Sequence, residues 1–129
     1  MSRRFLALAT GLGLLASPLA LSPGPAQAQV DAEVSFARVR AVNLARDTAV
    51  KLNGGLTLYR PAKCMFDTSL GGGNCLIRRD DQGFRFRFLG GAPGWQQLGL
   101  EPTWDTEILV SADGRQVVQV VFNQPLSNR

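Results

Sequence analysis

The apolar positions of this chain fall into three regimes. A nearly unbroken apolar run from Phe5 to Ala20 comes first. From Val34 to Asn53 the apolar residues recur at three- and four-residue intervals. Val34, Ala37, Ala41, Leu44, Ala45, Thr48, Ala49 and Leu52 then share one broad face, and Arg40, Asn43, Arg46, Asp47 and Lys51 fall mainly on the other. This spacing predicts an amphipathic helix whose alanines let a sheet approach closely. Asp31 and Glu33 suit its positive start and Lys51 its negative end. Asn53-Gly54-Gly55 supplies a left-handed stop. Gln29 to Glu33 reads as a short polar lead-in.

Beyond that stop the period drops to two. Leu56-Thr57-Leu58-Tyr59 begins a first strand, interrupted by Pro61 and resuming from Lys63 to Phe66. Because proline removes a ladder donor, this strand belongs at an edge or carries a bulge. Asp67 to Asn74 is a glycine-rich turn, and Cys75 to Arg79 a second strand. Asp80-Asp81-Gln82-Gly83 turns into the strongest alternation in the chain, Gly83-Phe84-Arg85-Phe86-Arg87-Phe88-Leu89. Its three phenylalanines point to one side and its two arginines to the other. Gly90-Gly91-Ala92-Pro93-Gly94-Trp95 breaks that strand. Thr103 to Val110 forms a fourth, with Trp104, Thr106, Ile108 and Val110 inward and Asp105 and Glu107 outward. Ser111 to Arg115 is a turn. A three-residue loop with Gly114 left-handed pairs Ile108 with Val118 and Trp104 with Phe122, which buries the apolar residues together.

These elements predict an α+β domain: one N-terminal helix packed on a five-stranded antiparallel meander sheet, with the Phe/Arg strand in the middle. Arg85 and Arg87 then lie opposite Glu107 and Asp105. Residues 29–123 form the single α+β domain, and 124–129 a flexible C-terminal tail.

The first regime is a targeting signal. Met1-Ser2-Arg3-Arg4 is a basic head, the apolar run follows, and Pro23-Gly24-Pro25-Ala26-Gln27-Ala28 ends in a small-x-small pattern. Residues 1–28 are read as a signal peptide cleaved after Ala28. Pro18 and the shortness of the run argue against a membrane span, which needs about 20 apolar residues. The arginine pair lacks the spacer of a twin-arginine signal, so general secretion is the expected route. The destination is the periplasm, a thylakoid lumen or the outside of the cell. With the signal goes part of the positive charge: the net +4 of the 129 residues falls to about +2 without Arg3 and Arg4. That balance gives little reason to expect nucleic acid. Cys64 and Cys75, the only cysteines, are expected to form one disulfide in an oxidising compartment.

The catalytic inventory is thin. There is no histidine, so neither a Ser-His arrangement nor a histidine-completed metal shell is available, and no cofactor or metal is expected. Asp80-Asp81 reads as a turn beside Arg78 and Arg79. Gly71-Gly72-Gly73 and Gly90-Gly91 do not open a helix or carry a phosphate-loop lysine. The meander topology brings the lead-in, the disulfide loop and the Gly90 loop to one edge. Candidate binding residues there are Gly72, Asn74, Gly90, Gly91, Pro93, Gly94 and Trp95. Trp95 is either the anchor for a partner or a lid folded on the core. In layout this edge is similar to the wedge of cystatin-type inhibitors.

Asn53-Gly54-Gly55-Leu56, Tyr59-Arg60-Pro61, Cys64-Met65-Phe66 and the stretch from Gly83-Phe84 to Gly94-Trp95 resemble small exported proteins of cyanobacteria. That resemblance implies export and fold, and carries no activity. The expected function is a non-catalytic binding module whose partner is another exported protein. The alternatives are a ligand carrier or enzyme with a pocket between helix and sheet, and a structural envelope protein.

Overall fold

Pro25 suits the first turn of a helix, where its missing N–H has no partner to lose. There α1 (Pro25–Leu52) begins. The helix thus absorbs the Gln29–Glu33 segment expected as a lead-in. Its end is the one the sequence predicts: the Asn53 N–H and side-chain amide both donate to the Ala49 carbonyl, and Gly54 and Gly55 follow at φ +94° and +95°. The computed structural model describes residues 10–16, 18 and 24–127, with Val34 described by its backbone alone. Most of the leader expected over residues 1–28, and the last two residues of the expected tail, lie outside the described residues.

Alanine spacing sets how α1 meets the sheet. Ala37, Ala41, Val42, Ala45 and Ala49 are buried, Leu44 is half-buried, and Leu52 is exposed. The buried face is therefore rotated toward Val42 from the one the periodicity predicts. Upstream of Ala37 the described side chains are exposed, so the first turns of α1 stand clear of the sheet.

The sheet contains β1 (Arg60–Pro61), β2 (Leu76–Asp80), β3 (Gly83–Gly91), β4 (Trp104–Val110) and β5 (Val117–Pro125), all neighbours antiparallel. With the Cys64–Cys75 disulfide this is the expected α+β class. Its topology departs from a simple meander at β1, which pairs β3 rather than β2. Arg60 and Pro61 lie beside Gly91 and Gly90, and β2 continues along the same edge from Phe86 to Gly83. Two strands thus hang in line from one side of β3. Between them the chain makes 3-10 turns at Lys63–Phe66, where strand was expected, and at Gly73–Cys75. The cause is local: Pro61 cannot extend a ladder, and the turn bonds use the backbone groups a hairpin would need.

Phe84, Phe86 and Phe88 enter the core with Tyr59, Met65, Ile108 and Val110. Fully burying a side chain of this kind contributes about 1.5–3 kcal/mol. On the outer face Arg87 holds both oxygens of the buried Asp105, at 2.8 and 3.3 Å, and Arg85 holds Glu107 at 3.1 Å. The pairs are diagonal, because Arg87 stands directly opposite Glu107 and Arg85 opposite Leu109.

The β4–β5 register differs from the expected one. Ile108 pairs with Val120 and Trp104 with Pro125. The turn is longer than three residues, closed by the Ser111 N–H on the Gln116 carbonyl, and Val118 and Val121 are the extra residues of two bulges. Gly114 is left-handed at φ +74°, as expected, but for a further reason: its Cα abuts the α1 backbone at Ala37 and Ala41, where a side chain would collide. Arg40 clamps the same turn through the Asp113 carbonyl at 2.8 and 3.0 Å. The altered register carries β5 on to Pro125, past the point where the tail was expected. Asn123 there exchanges amide hydrogen bonds with Asn53, at 2.9 and 3.1 Å, and accepts one from Thr106 at 2.7 Å.

Candidate functional site

At the end of β3 two glycines receive two aromatic rings. The Tyr59 ring occupies the space a side chain at Gly90 would need, and the Trp95 ring lies on Gly91, 3.1 Å from where a Cβ would stand. Gly90 and Gly91 are accordingly buried strand residues rather than the strand break expected of them. Trp95 follows in a tight turn. Its own N–H donates to Ala92, Leu98 donates to Gly94, and Leu100 donates back to Trp95. The indole Nε1 donates to the Arg60 carbonyl at 3.0 Å, and only 8% of Trp95 is exposed. Of the two alternatives for Trp95, the structure shows the ring folded on the core.

The folded-back ring becomes the floor of an open groove of about 610 Å³, within the usual range for ligand sites. Pro61, Phe66, Pro93 and Leu98 supply further apolar walls, and Arg60 and Lys63 stand at the rim. Gln96 ties the two sides together by accepting the Lys63 backbone N–H at 2.6 Å. No carboxylate among the described residues lines this groove. Among the described residues neither Arg60 nor Lys63 has an ion-pair partner.

Pro93, Gly94 and Trp95, expected at a binding edge, meet in this groove. Asn74 lies in a shallower recess on the far side of Trp95, beside the disulfide and Arg87. Gly72 is not at the surface: it is buried at φ +89° against Phe86 and Val42. Nor does the Gln29–Glu33 segment approach. It lies upstream of Ala37, and Ala37 and Ala41 meet the β4–β5 turn, whereas the Gly90 loop sits by Tyr59 beyond the other end of α1. The cystatin-like wedge is not formed, because collinear β1 and β2 put the disulfide loop along the side of the sheet.

Arg60, Lys63, Phe66 and Leu98 were not singled out by the sequence pattern. Leu98 had a signal, an apolar residue three places after Trp95 in a turn that Gly94 and Gly99 bound at φ +78° and +66°.

Several other charged residues are engaged elsewhere. Asp80 pairs with Arg78 at 2.9 Å and accepts the Gln82 N–H, as a turn residue does. The Ser111 hydroxyl, then the Arg115 N–H, hold Asp113 below the usual carboxylate range. The hydrogen bonds that Arg87 donates to Asp105, then the Asp105 charge, push the Arg87 guanidinium further up. Burial pushes the Tyr59 hydroxyl up to about 12; Thr106 and Asn53 face it and offset part of that rise without closing a well-formed hydrogen bond. Among the described residues no group of three or more Asp, Glu or Cys could hold a metal ion. No helix among them is long and apolar enough to cross a membrane. No protein-family profile, no curated protein and no solved structure matches this chain.

Proposed function

We propose that this chain is an exported, non-catalytic binding module that works through the groove floored by Trp95. The observation that carries the reading is the groove's composition: apolar walls and, among the described residues, two rim cations free of ion pairs and no lining carboxylate. Such a surface suits binding: apart from the Lys63 amine, its lining side chains include no general base and no nucleophile. The basic head, apolar run and Pro23–Ala28 pattern support export, as does a disulfide suited to an oxidising compartment. The resemblance to small exported proteins of cyanobacteria points the same way.

Site-specific photo-crosslinking from Leu98 in the native envelope tests the reading. A crosslinker at 98 yields a defined adduct, and one at Val118, exposed on the distant β5 edge, does not. Equal labelling at both positions, or none at 98, would sink it. Mass measurement with and without reductant checks that residues 1–28 are removed and that the two cysteines are joined.

One observation favours a second reading, assembly through sheet edges. β5 is an outer strand whose nine residues include no charged side chain, and edges of that kind pair readily with another chain. Sedimentation at increasing concentration decides it, since a monomer throughout removes assembly as a role.

A further inference from the structure

We propose that the partner of this groove is an anionic lipid surface, which the protein grips from one side without spanning it. The inference rests on the binding reading above and names the occupant.

Phe66 is shared between the Trp95 groove and a second open groove lined by Arg46, Asp47, Val50, Lys51 and Leu56. The two form one continuous surface, on which three apolar side chains stand out from three separate segments. Leu98 is 69% exposed, and Phe66 and Leu56 are each 44% exposed. Four cations, Arg46, Lys51, Arg60 and Lys63, alternate with them. Among the described residues the one carboxylate lining either groove is Asp47, already paired with Arg46 at 3.1 Å. The Arg46 guanidinium also lies 5.2 Å from the Phe66 ring centre, and Arg60 Nε donates to the Leu56 carbonyl. Arg46 and Arg60 are thus held at the foot of an apolar side chain. A headgroup layer asks for that arrangement, with apolar tips entering the acyl boundary and cations level with the phosphates.

An extended acidic peptide is the other partner with this charge, and the backbone disfavours it. Strand-like peptide binding needs a run of free main-chain groups, and four of those in or beside the groove are already used. The Arg60 carbonyl holds Trp95, the Lys63 N–H is taken by Gln96, and the Leu89 and Gly90 carbonyls accept Ala62 and Thr103. What the groove chiefly offers is side-chain apolar surface and positive charge. Lipid supplies the complement of both.

Flotation with vesicles tests the proposal. The chain from Gln29 onward retains every buried side chain of the described residues, and it omits the apolar leader that could itself insert. The oxidised form of this chain is expected to float with vesicles containing phosphatidylglycerol, to stay behind with phosphatidylcholine alone, and to be released by salt. Each cation contributes roughly fivefold in partitioning, so Lys63→Glu lowers binding by about tenfold or more, as does Leu98→Asp. Val118→Asp leaves it unchanged, and all three variants keep the parent melting temperature. Failure to float, equal binding to neutral vesicles, or indifference to both groove variants overturns the proposal. If flotation fails while Leu98 still crosslinks to a protein, the lipid is wrong and the groove stands. If both fail, the binding reading falls as well.

Discussion

Gly90 shows how a single missing methyl positions the whole end of the sheet. A side chain there would occupy the space of the Tyr59 ring, so Gly90→Ala is expected to cost about 2–3 kcal/mol in chemical denaturation. In a Tyr59→Leu background the same change should cost clearly less, because the ring it strikes is gone. Tyr59 has its own signature. Its hydroxyl is buried without a well-formed hydrogen bond, and its rise from 10.0 to about 12 means that the folded protein resists ionising it. That resistance is worth about 3 kcal/mol, present in full below pH 10 and lost as the pH climbs through 12. Tyr59→Phe should remove this alkaline loss of stability, and at neutral pH should leave stability unchanged or raise it by about 1 kcal/mol. At this scale the sequence was legible wherever the cause was local. The alternation of Phe84 to Phe88 and the Asn53-Gly54-Gly55 stop needed no tertiary information. Gly90 and Trp95 were not legible in the same way, because whether a loop leaves or folds back depends on what waits beneath it. Here Gly91 makes room and the Arg60 carbonyl accepts the indole.

Between elements, the decisive relationships are non-local. The β2–β3 hairpin follows from its Asp-rich turn, and the helix ends where its stop signal falls. The collinear placement of β1 and β2 does not follow from either sequence, because a two-residue strand carries no pairing signal of its own. Likewise, the bulges at Val118 and Val121 answer to how Gly114 and Asp113 dock on α1, which no local pattern in β5 records. The Asn53–Asn123 amide pair then fastens that shifted register to the end of α1. Asn123→Ala leaves the Asn53 amide and the Thr106 hydroxyl short of a partner. It should cost about 2 kcal/mol and bring faster amide exchange from Phe122 to Pro125. A melting temperature equal to the parent would show that the pair does not fasten the strand.

For the molecule as a whole, the disulfide joins parts that the sheet already holds. Cys64 and Cys75 are 11 residues apart, and closing so short a loop is worth about 3 kcal/mol in the chain-entropy account. Replacing both by alanine should lower the unfolding free energy by about that amount, with the sheet intact in circular dichroism. Collapse to an unfolded chain at room temperature would mean that α1 and β3 depend on the bridge. The fold class and the disulfide were both expected from the sequence. The groove was not, since it is assembled from Arg60, Lys63, Phe66 and Leu98, four residues that come together only because β1 runs beside Gly90 and Gly91.

The hanging of β1 and β2 from one edge of β3 also governs what a cut would do. Ser69 and Leu70 are exposed at the far reach of the excursion between them. A protease that opened the bond there would sever the chain without separating the halves. One fragment keeps α1, β1 and Cys64; the other keeps β2 to β5 and Cys75; and both the helix–sheet core and the sulfur bridge cross the gap. The nicked protein should run as one species in gel filtration and on a non-reducing gel, and as two bands only after denaturation with reductant.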